Sequence, residues 1–231
     1  MPFKPHIFQY NETSILIEFE EDIDENLLNI LLQLKKSIFQ NNDKQILHIT
    51  NTYNSLLVIY KNTINNIYAV KNEIIELIQR VNTDHKLEAS IKTIPVCYDH
   101  EFGWDLDLLS NELELSIPEI IDKHTAHTYS VFFIGFLPGF PYLEGLDSSL
   151  FHRRKLQPRQ KIPTGSVGIA DQQTGIYPTD SPGGWQIIGR SPVNLFDINN
   201  NNPSFLTAGD QVRFEQITKD EFEYIHSKSK V

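Results

Sequence analysis

The 231-residue sequence predicts an α+β protein in two parts, a small α/β domain over 1–95 and a β-rich domain over 96–231. Two observations predict it. Up to about residue 95, short β-type runs alternate with two long amphipathic stretches at helical spacing. Beyond His127 the texture changes: residues 135 to 190 hold nine of the eleven glycines and six of the twelve prolines, with short β-type pieces between them. Many short strands separated by turn signals argue for a closed or folded-over β architecture.

The elements follow in order. Ser14 to Phe19 is an apolar run that reads as a strand. Asp24 suits the cap of a helix reaching about Gln40, with Leu27, Leu31, Leu34 and Ile38 on one face. Gln45–Ile49 and Ser55–Tyr60 are two strands joined by a tight Asn51–Asn54 connection. Asn66 to Val81 is a second helix, and Leu87 to Ile94 closes the set as a strand. That β-α-β-β-α-β order is the arrangement of ferredoxin-like domains, read here as a packing and docking module. Pro95 marks the boundary, because proline resists continuing a strand. Helices are then expected from Asp105 to about Leu115 and from Ser116 to near His124. Ser116 and Glu119 form a capping box there, with Pro118 in the first turn. Strand pieces follow at Tyr129–Ile134, Ser166–Ala170, Trp185–Ile188, Val193–Phe196 and Gln211–Phe214. A second capping box, Thr218 to Glu221, opens a terminal helix.

Composition excludes several classes. The net charge is −10, and no long Lys/Arg tract offers a footprint for nucleic acid. No apolar run approaches the 18 or so residues that span a bilayer, and the start lacks a signal-peptide core, so the expected address is cytoplasmic. Cys97 stands alone, as a reducing compartment allows, and no His/Cys/Asp/Glu cluster has metal-ligand spacing. One feature runs against the acidic average: Phe151 to Ala170 holds Arg153, Arg154, Lys155, Arg159 and Lys161 and no carboxylate. Such an island fits either a small anionic ligand or a surface loop paired with acids elsewhere.

Three adjoining stretches exceed what packing needs. Gly135-Phe-Leu-Pro-Gly-Phe-Pro-Tyr142 is a Gly/Pro-stiffened loop carrying three aromatics. Arg154 to Gly168 follows, with Gly165 and Ser166 in a run of glycine-flanked N–H groups and hydroxyls suited to an anion or carbonyl oxygen. The third is Gln173-Thr-Gly-Ile-Tyr177, then Ser181-Pro-Gly-Gly-Trp185 and Gly189-Arg190. None fits a phosphate-binding glycine motif.

These phrases in this order, with Gly165-Ser-Val-Gly-Ile-Ala170 and the downstream Ala208-Gly-Asp210, resemble the family of 5-oxoprolinase B subunits. That family includes the sporulation-kinase inhibitor KipI and was formerly called allophanate hydrolase subunit 1. The motif-bearing match covers about residues 94 to 217; the first domain matches by layout. Trp104 and Asp171 depart from the family pattern, Trp104 standing where a smaller residue is expected and Asp171 where Gly or a polar residue is usual. The resemblance implies a cyclophilin-like β-barrel for the second domain. It also implies partners, the 5-oxoprolinase C and A subunits, and ATP-dependent opening of 5-oxo-L-proline to L-glutamate. ATP with Mg²⁺ would then belong to the complex, with no metal bound by this chain alone and little activity without the partners.

A lactam carbonyl is a poor electrophile, and phosphorylating its oxygen makes the ring carbon attackable by water. That step demands cations and N–H donors around a phosphoryl group. Arg154, Arg159 and Arg190 are the candidate catalytic residues. Gly165, Ser166, Gln173 and Tyr177 are candidates for binding substrate, Gln173 as reader of the lactam amide. Each has a plainer reading: Arg190 as a loop tether, Tyr177 as a core aromatic, Ser166 as a turn residue. His124 reads as a partly charged imidazole at a helix C-terminus or, less well, as a catalyst. Rival functions are a KipI-like inhibitor of a sensor histidine kinase, a prolyl isomerase by fold analogy, and a carboxyltransferase-type role.

Overall fold

A computed structural model describes residues 5–82 and 90–228 of the chain. The chain forms two compact units, Met1–Glu88 and Ala89–Val231. The first contains β1 (His6–Asn11), β2 (Ser14–Glu18), α1 (Glu25–Asn42), β3 (Ile46–Asn51), β4 (Ser55–Tyr60) and α2 (Ile67–Gln79). Its sheet runs β1-β2-β4-β3 with every neighbour antiparallel. Asp24 caps α1 by accepting the Leu27 N–H at 2.8 Å, which satisfies one orphan donor of the first turn. The helix then buries Leu27, Leu31, Leu34 and Ile38 in one core with Ile15, Ile17, Leu56 and Val58 of the central strands. Full burial of each such side chain stabilises by roughly 1.5–3 kcal/mol.

Three readings of this part of the chain are corrected. Strand β1 went unpredicted because it lies at the sheet edge with nearly every residue exposed, so no apolar alternation marks it. The strand expected at Leu87–Ile94 does not close this sheet as a ferredoxin-like domain requires. Its first residues, 87–89, lie outside the described residues, and the described strand is β5 (Ile91–Val96), which pairs in parallel with a C-terminal strand of the second unit. Ile94 and Val96 are fully buried in the second unit's core, and that burial decides where the strand belongs. Pro95 does not end the strand. The carbonyls of Ser90 and Val96 accept from the neighbouring strand's side; by parity Pro95 faces away, where its missing N–H leaves no ladder bond unmade.

The second unit continues with α3 (Leu106–Leu113), α4 (Ile117–Thr125), β6 (Thr128–Ile134), β7 (Pro141–Glu144), a 3₁₀ turn at Ser148–Leu150, β8 (Arg159–Ile162), β9 (Ser166–Ala170), β10 (Gln173–Ile176), β11 (Ser181–Gly183), β12 (Gln186–Arg190), β13 (Gln211–Gln216) and α5 (Lys219–Lys228). Seven strands form one sheet in the order β12-β9-β10-β7-β6-β13-β5, and β11 pairs with β8. The sheet curls until its two edges meet: Cys97, just past β5, and Arg190 of β12 exchange both backbone hydrogen bonds at 2.9 Å. The architecture is mixed α+β. Both capping boxes form, Ser116 with Glu119 opening α4 and Thr218 with Glu221 opening α5. The strand expected at Val193–Phe196 reduces to one bridge between Phe196 and Ser204.

Candidate functional site

Folding of the second unit opens a cleft of about 330 Å³ beside the sheet, lined by residues from all three unusual stretches. The Gly135–Tyr142 loop contributes Phe136, Phe140 and Tyr142, and the strand ends contribute Tyr177 and Trp185. These rings meet edge to face. Phe140 lies 5.2 Å from Tyr177 and 5.3 Å from Trp185, ring centre to ring centre, at 82° and 83°. That is the geometry aromatic quadrupoles prefer. Burial pushes the Tyr177 phenol up to about 12, against a backbone hydrogen bond with Trp185 and the nearby Arg154 charge. The hydroxyl therefore stays protonated as a donor at neutral pH. Gly183 is required beneath it, because a Cβ there would stand 2.3 Å from the Tyr177 oxygen.

Two cations share this cleft, Arg154 and Lys155. Arg154 directs its Nε–H to Asp171 at 3.0 Å and lies 6.0 Å from the centre of the Trp185 ring. Asp171, one of the two family departures, sits at φ +54°, a conformation natural to Gly and tolerated by Asp. Lys155 is fixed from below: its N–H donates to the Gly184 carbonyl at 2.7 Å, and its ammonium lies 2.9 Å from Asp105. Asp105 also accepts from Arg159 at 2.7 Å and from the Ile187 N–H at 2.6 Å. Only 4% of its side chain is exposed. Burial alone would raise this carboxyl, but Arg159, the Ile187 amide and Lys155 together hold it below the usual carboxylate value. Asp105 was legible in the sequence only as a helix start; it is the anchor of the cationic wall.

The sequence-derived candidates do not all converge. Arg154 and Tyr177 line the cleft. Arg159 stands beside it with its guanidinium engaged by Asp105 and 5.5 Å from the Trp104 ring centre. Arg190 is elsewhere: its Nε–H donates to the Thr164 carbonyl at 2.8 Å, and its guanidinium lies near the Phe102 and Phe222 rings, which is the tether reading. The run from Thr164 is a turn and not an anion cradle. The Thr164 N–H donates to Asp180, that of Gly165 to Tyr177 and that of Ser166 to Pro163. Gly165 is needed for its φ of +83° and because a Cβ would sit 2.2 Å from the Ser191 carbonyl oxygen. Ser166 is buried in β9. Gln173 donates its amide to Glu144, whose carboxyl burial raises against that hydrogen bond.

His124 is not the half-charged helix terminus that its position suggested. It is wholly buried, 4.4 Å from the Phe214 ring centre and stacked on it. Its nitrogens bond Tyr98 at 2.8 Å and Thr174 at 2.9 Å. The single Thr174 hydroxyl proton goes to the Gly168 carbonyl at 3.0 Å, so Nε2 carries the imidazole hydrogen and Nδ1 accepts from Tyr98. Burial, helped by His127, lowers its pKa to about 3, and the ring is neutral.

Over residues 5–206 the chain matches the carboxyltransferase domain, subdomain C and D, which sets its class. It is 36% identical to the 5-oxoprolinase B subunit of Bacillus subtilis (strain 168), across 96% of this chain and 97% of that one. The chain belongs to the family of 5-oxoprolinase B subunits. Among solved structures it resembles a conserved uncharacterized protein from Pyrococcus horikoshii, at 36% identity and a TM-score of 0.57, over 94% of this chain and 100% of that one. It also resembles the Kluyveromyces lactis urea carboxylase at a TM-score of 0.78, covering 97% of this chain and 23% of that one; at 20% identity this is a likeness of fold.

Proposed function

We propose that this chain is the B subunit of a cytoplasmic, ATP-dependent 5-oxoprolinase working with the C and A subunits, and that the aromatic cleft receives its small anionic substrate. One observation carries the second half: two cations, Arg154 and Lys155, line the same cleft as an aromatic wall and a protonated phenol. The Nη pair of Arg154, left over when Nε serves Asp171, offers the planar fork a carboxylate wants. The lactam ring lies against Trp185 and Phe140. Lys155 and the Tyr177 hydroxyl face the phosphoryl group as the carbonyl oxygen takes it up, and there they stabilise the negative charge on its oxygens. Arg159 acts at one remove, by holding Asp105 and so the cationic wall. We assign ATP and its Mg²⁺ to the assembled complex, since the donors around this cleft are cations and rings that suit an anion and not a metal ion. The closed sheet fits the cyclophilin-like barrel that the family resemblance implies.

The test is 5-oxoproline-dependent ATP hydrolysis by the co-expressed subunits. Arg154→Ala should lower kcat/KM at least tenfold while leaving thermal stability nearly unchanged, because its ion pair with Asp171 is half-exposed and worth about 1 kcal/mol or less. An Arg154→Ala complex with full activity would remove the cleft from the reaction. A wild-type complex that is inert towards 5-oxoproline, while the chain captures a sensor histidine kinase, would overturn the enzymatic reading.

A further inference from the structure

Large apolar side chains stand exposed on and beside the segments that line the cleft. Leu156, between the cleft residues Lys155 and Pro158, is 93% exposed; Phe136, which lines the cleft, is 62% exposed and Trp104, beside Arg159, 43%. Scattered surface apolar residues are ordinary, but three on the segments around one cleft are a candidate for an interaction surface. The loop bearing Leu156 is also fixed at its base. The Arg153 carbonyl accepts from Gln186 at 3.1 Å, and the Lys155 N–H is held by Gly184 at 2.7 Å. A side chain held out on an anchored loop has already lost part of the freedom that binding would otherwise cost.

Charge says what sort of surface would cover it. Residues 151–161 carry five cations, and among the described residues the carboxylates that pair with them are three: Asp105, shared by Lys155 and Arg159, Asp171 and Asp180. Among the described residues two of these positive charges are unmatched, in a chain whose net charge is −10. Arg153 is exposed, with no ion pair among the described residues. Apolar anchors beside unpaired arginine, at the edge of a cleft, describe a protein interface and not a solvated rim.

We infer that the 153–158 loop, with Phe136 and Trp104, is the docking face for another member of the same complex, whose matching surface is an apolar pocket ringed by Asp and Glu, and that docking roofs the cleft. This rests on reading the chain as part of a complex, but not on the identity of the substrate.

The test measures binding of the full chain to its two partners, the C and A subunits, each supplied separately. Leu156→Glu and Arg153→Glu should each weaken one of these affinities at least tenfold, and wild-type binding should weaken as salt rises. Tyr68→Glu, at an exposed position of the first unit, should bind as wild type. Thermal melts coincident with wild type exclude misfolding, since both substituted side chains lie in solvent. Wild-type affinity in both variants overturns the inference, as does capture of neither partner by the wild-type chain or a homodimer that Leu156→Glu dissociates. A complex that assembles through this face yet ignores 5-oxoproline would sink the proposed function and leave the docking face standing. An active complex indifferent to both substitutions would do the reverse.

Discussion

The second unit contains two buried polar clusters that solve the same problem in opposite ways. Around Asp105 the groups are charged, one carboxylate against Lys155 and Arg159, and both cations remain about a quarter exposed. Around His124 the groups are neutral: Tyr98, the imidazole and Thr174 form a chain that ends on the Gly168 carbonyl, sealed from water. The difference follows from where each lies. A charge survives burial only when paired and hydrogen-bonded, and Asp105 has three donors to do so. His124, enclosed by rings, sheds its charge instead. Ions are thus kept where the cleft opens, and discharged where it does not.

The sharpest way to break this contrast is to remove the carboxylate. Asp105→Ala leaves two cations without their counter-ion and the Ile187 N–H without its acceptor. Loss of one partner of a fully buried pair costs about 3–5 kcal/mol; because Lys155 and Arg159 reach solvent, the lower end, about 3 kcal/mol, is expected from urea unfolding. Asp105→Asn should recover part of it by keeping an oxygen for Ile187. A loss below about 1 kcal/mol in Asp105→Ala would mean that the cations hold their places without it.

The neutral cluster should respond more gently. Thr174→Val keeps the shape but strands the imidazole Nε2–H and deprives the Gly168 carbonyl of its donor. An unsatisfied buried group costs about 1–3 kcal/mol, so the urea midpoint should fall with the slope unchanged. An unaltered midpoint would show that His124 has another partner.

How much of this could be read from the chain alone differs between the clusters. Leu27, Leu31, Leu34 and Ile38 repeat at helical spacing, and Ser116 with Glu119 is a local signal, so α1 and α4 were legible. The pairing of β5 was not, because its partner β13 lies more than a hundred residues away and no local pattern carries a parallel pairing. The glycine-rich stretches were equally prominent in the sequence but proved unlike. Gly135–Tyr142 delivers rings to the cleft, while Thr164–Ser166 engages its own N–H groups. Composition shows that a backbone can approach a ligand; only tertiary contacts show whether its donors are already taken. Asp105 was invisible as an anchor for the same reason, since Arg159 lies 54 residues on.

The smallest effect is the most diagnostic of the neutral cluster. An unfolded histidine takes up a proton near pH 6.5, whereas His124 in the folded chain does so only near 3. Between these values the unfolded state binds the extra proton, so the contribution of the buried imidazole is complete above about pH 6.5 and declines as the pH falls towards 3. The slope from this one group is at most about 1.4 kcal/mol per pH unit, and comparison of wild type with His124→Gln at pH 7.5 and 5.5 isolates it from the other histidines. Should the glutamine variant not fold, the ring itself can be followed: its nitrogen resonances should report the neutral Nε2–H form unchanged down to about pH 5. An imidazole that titrates near 6.5 in the folded chain would place water in that core, and with it the contrast between a charged cleft and a discharged interior would be lost.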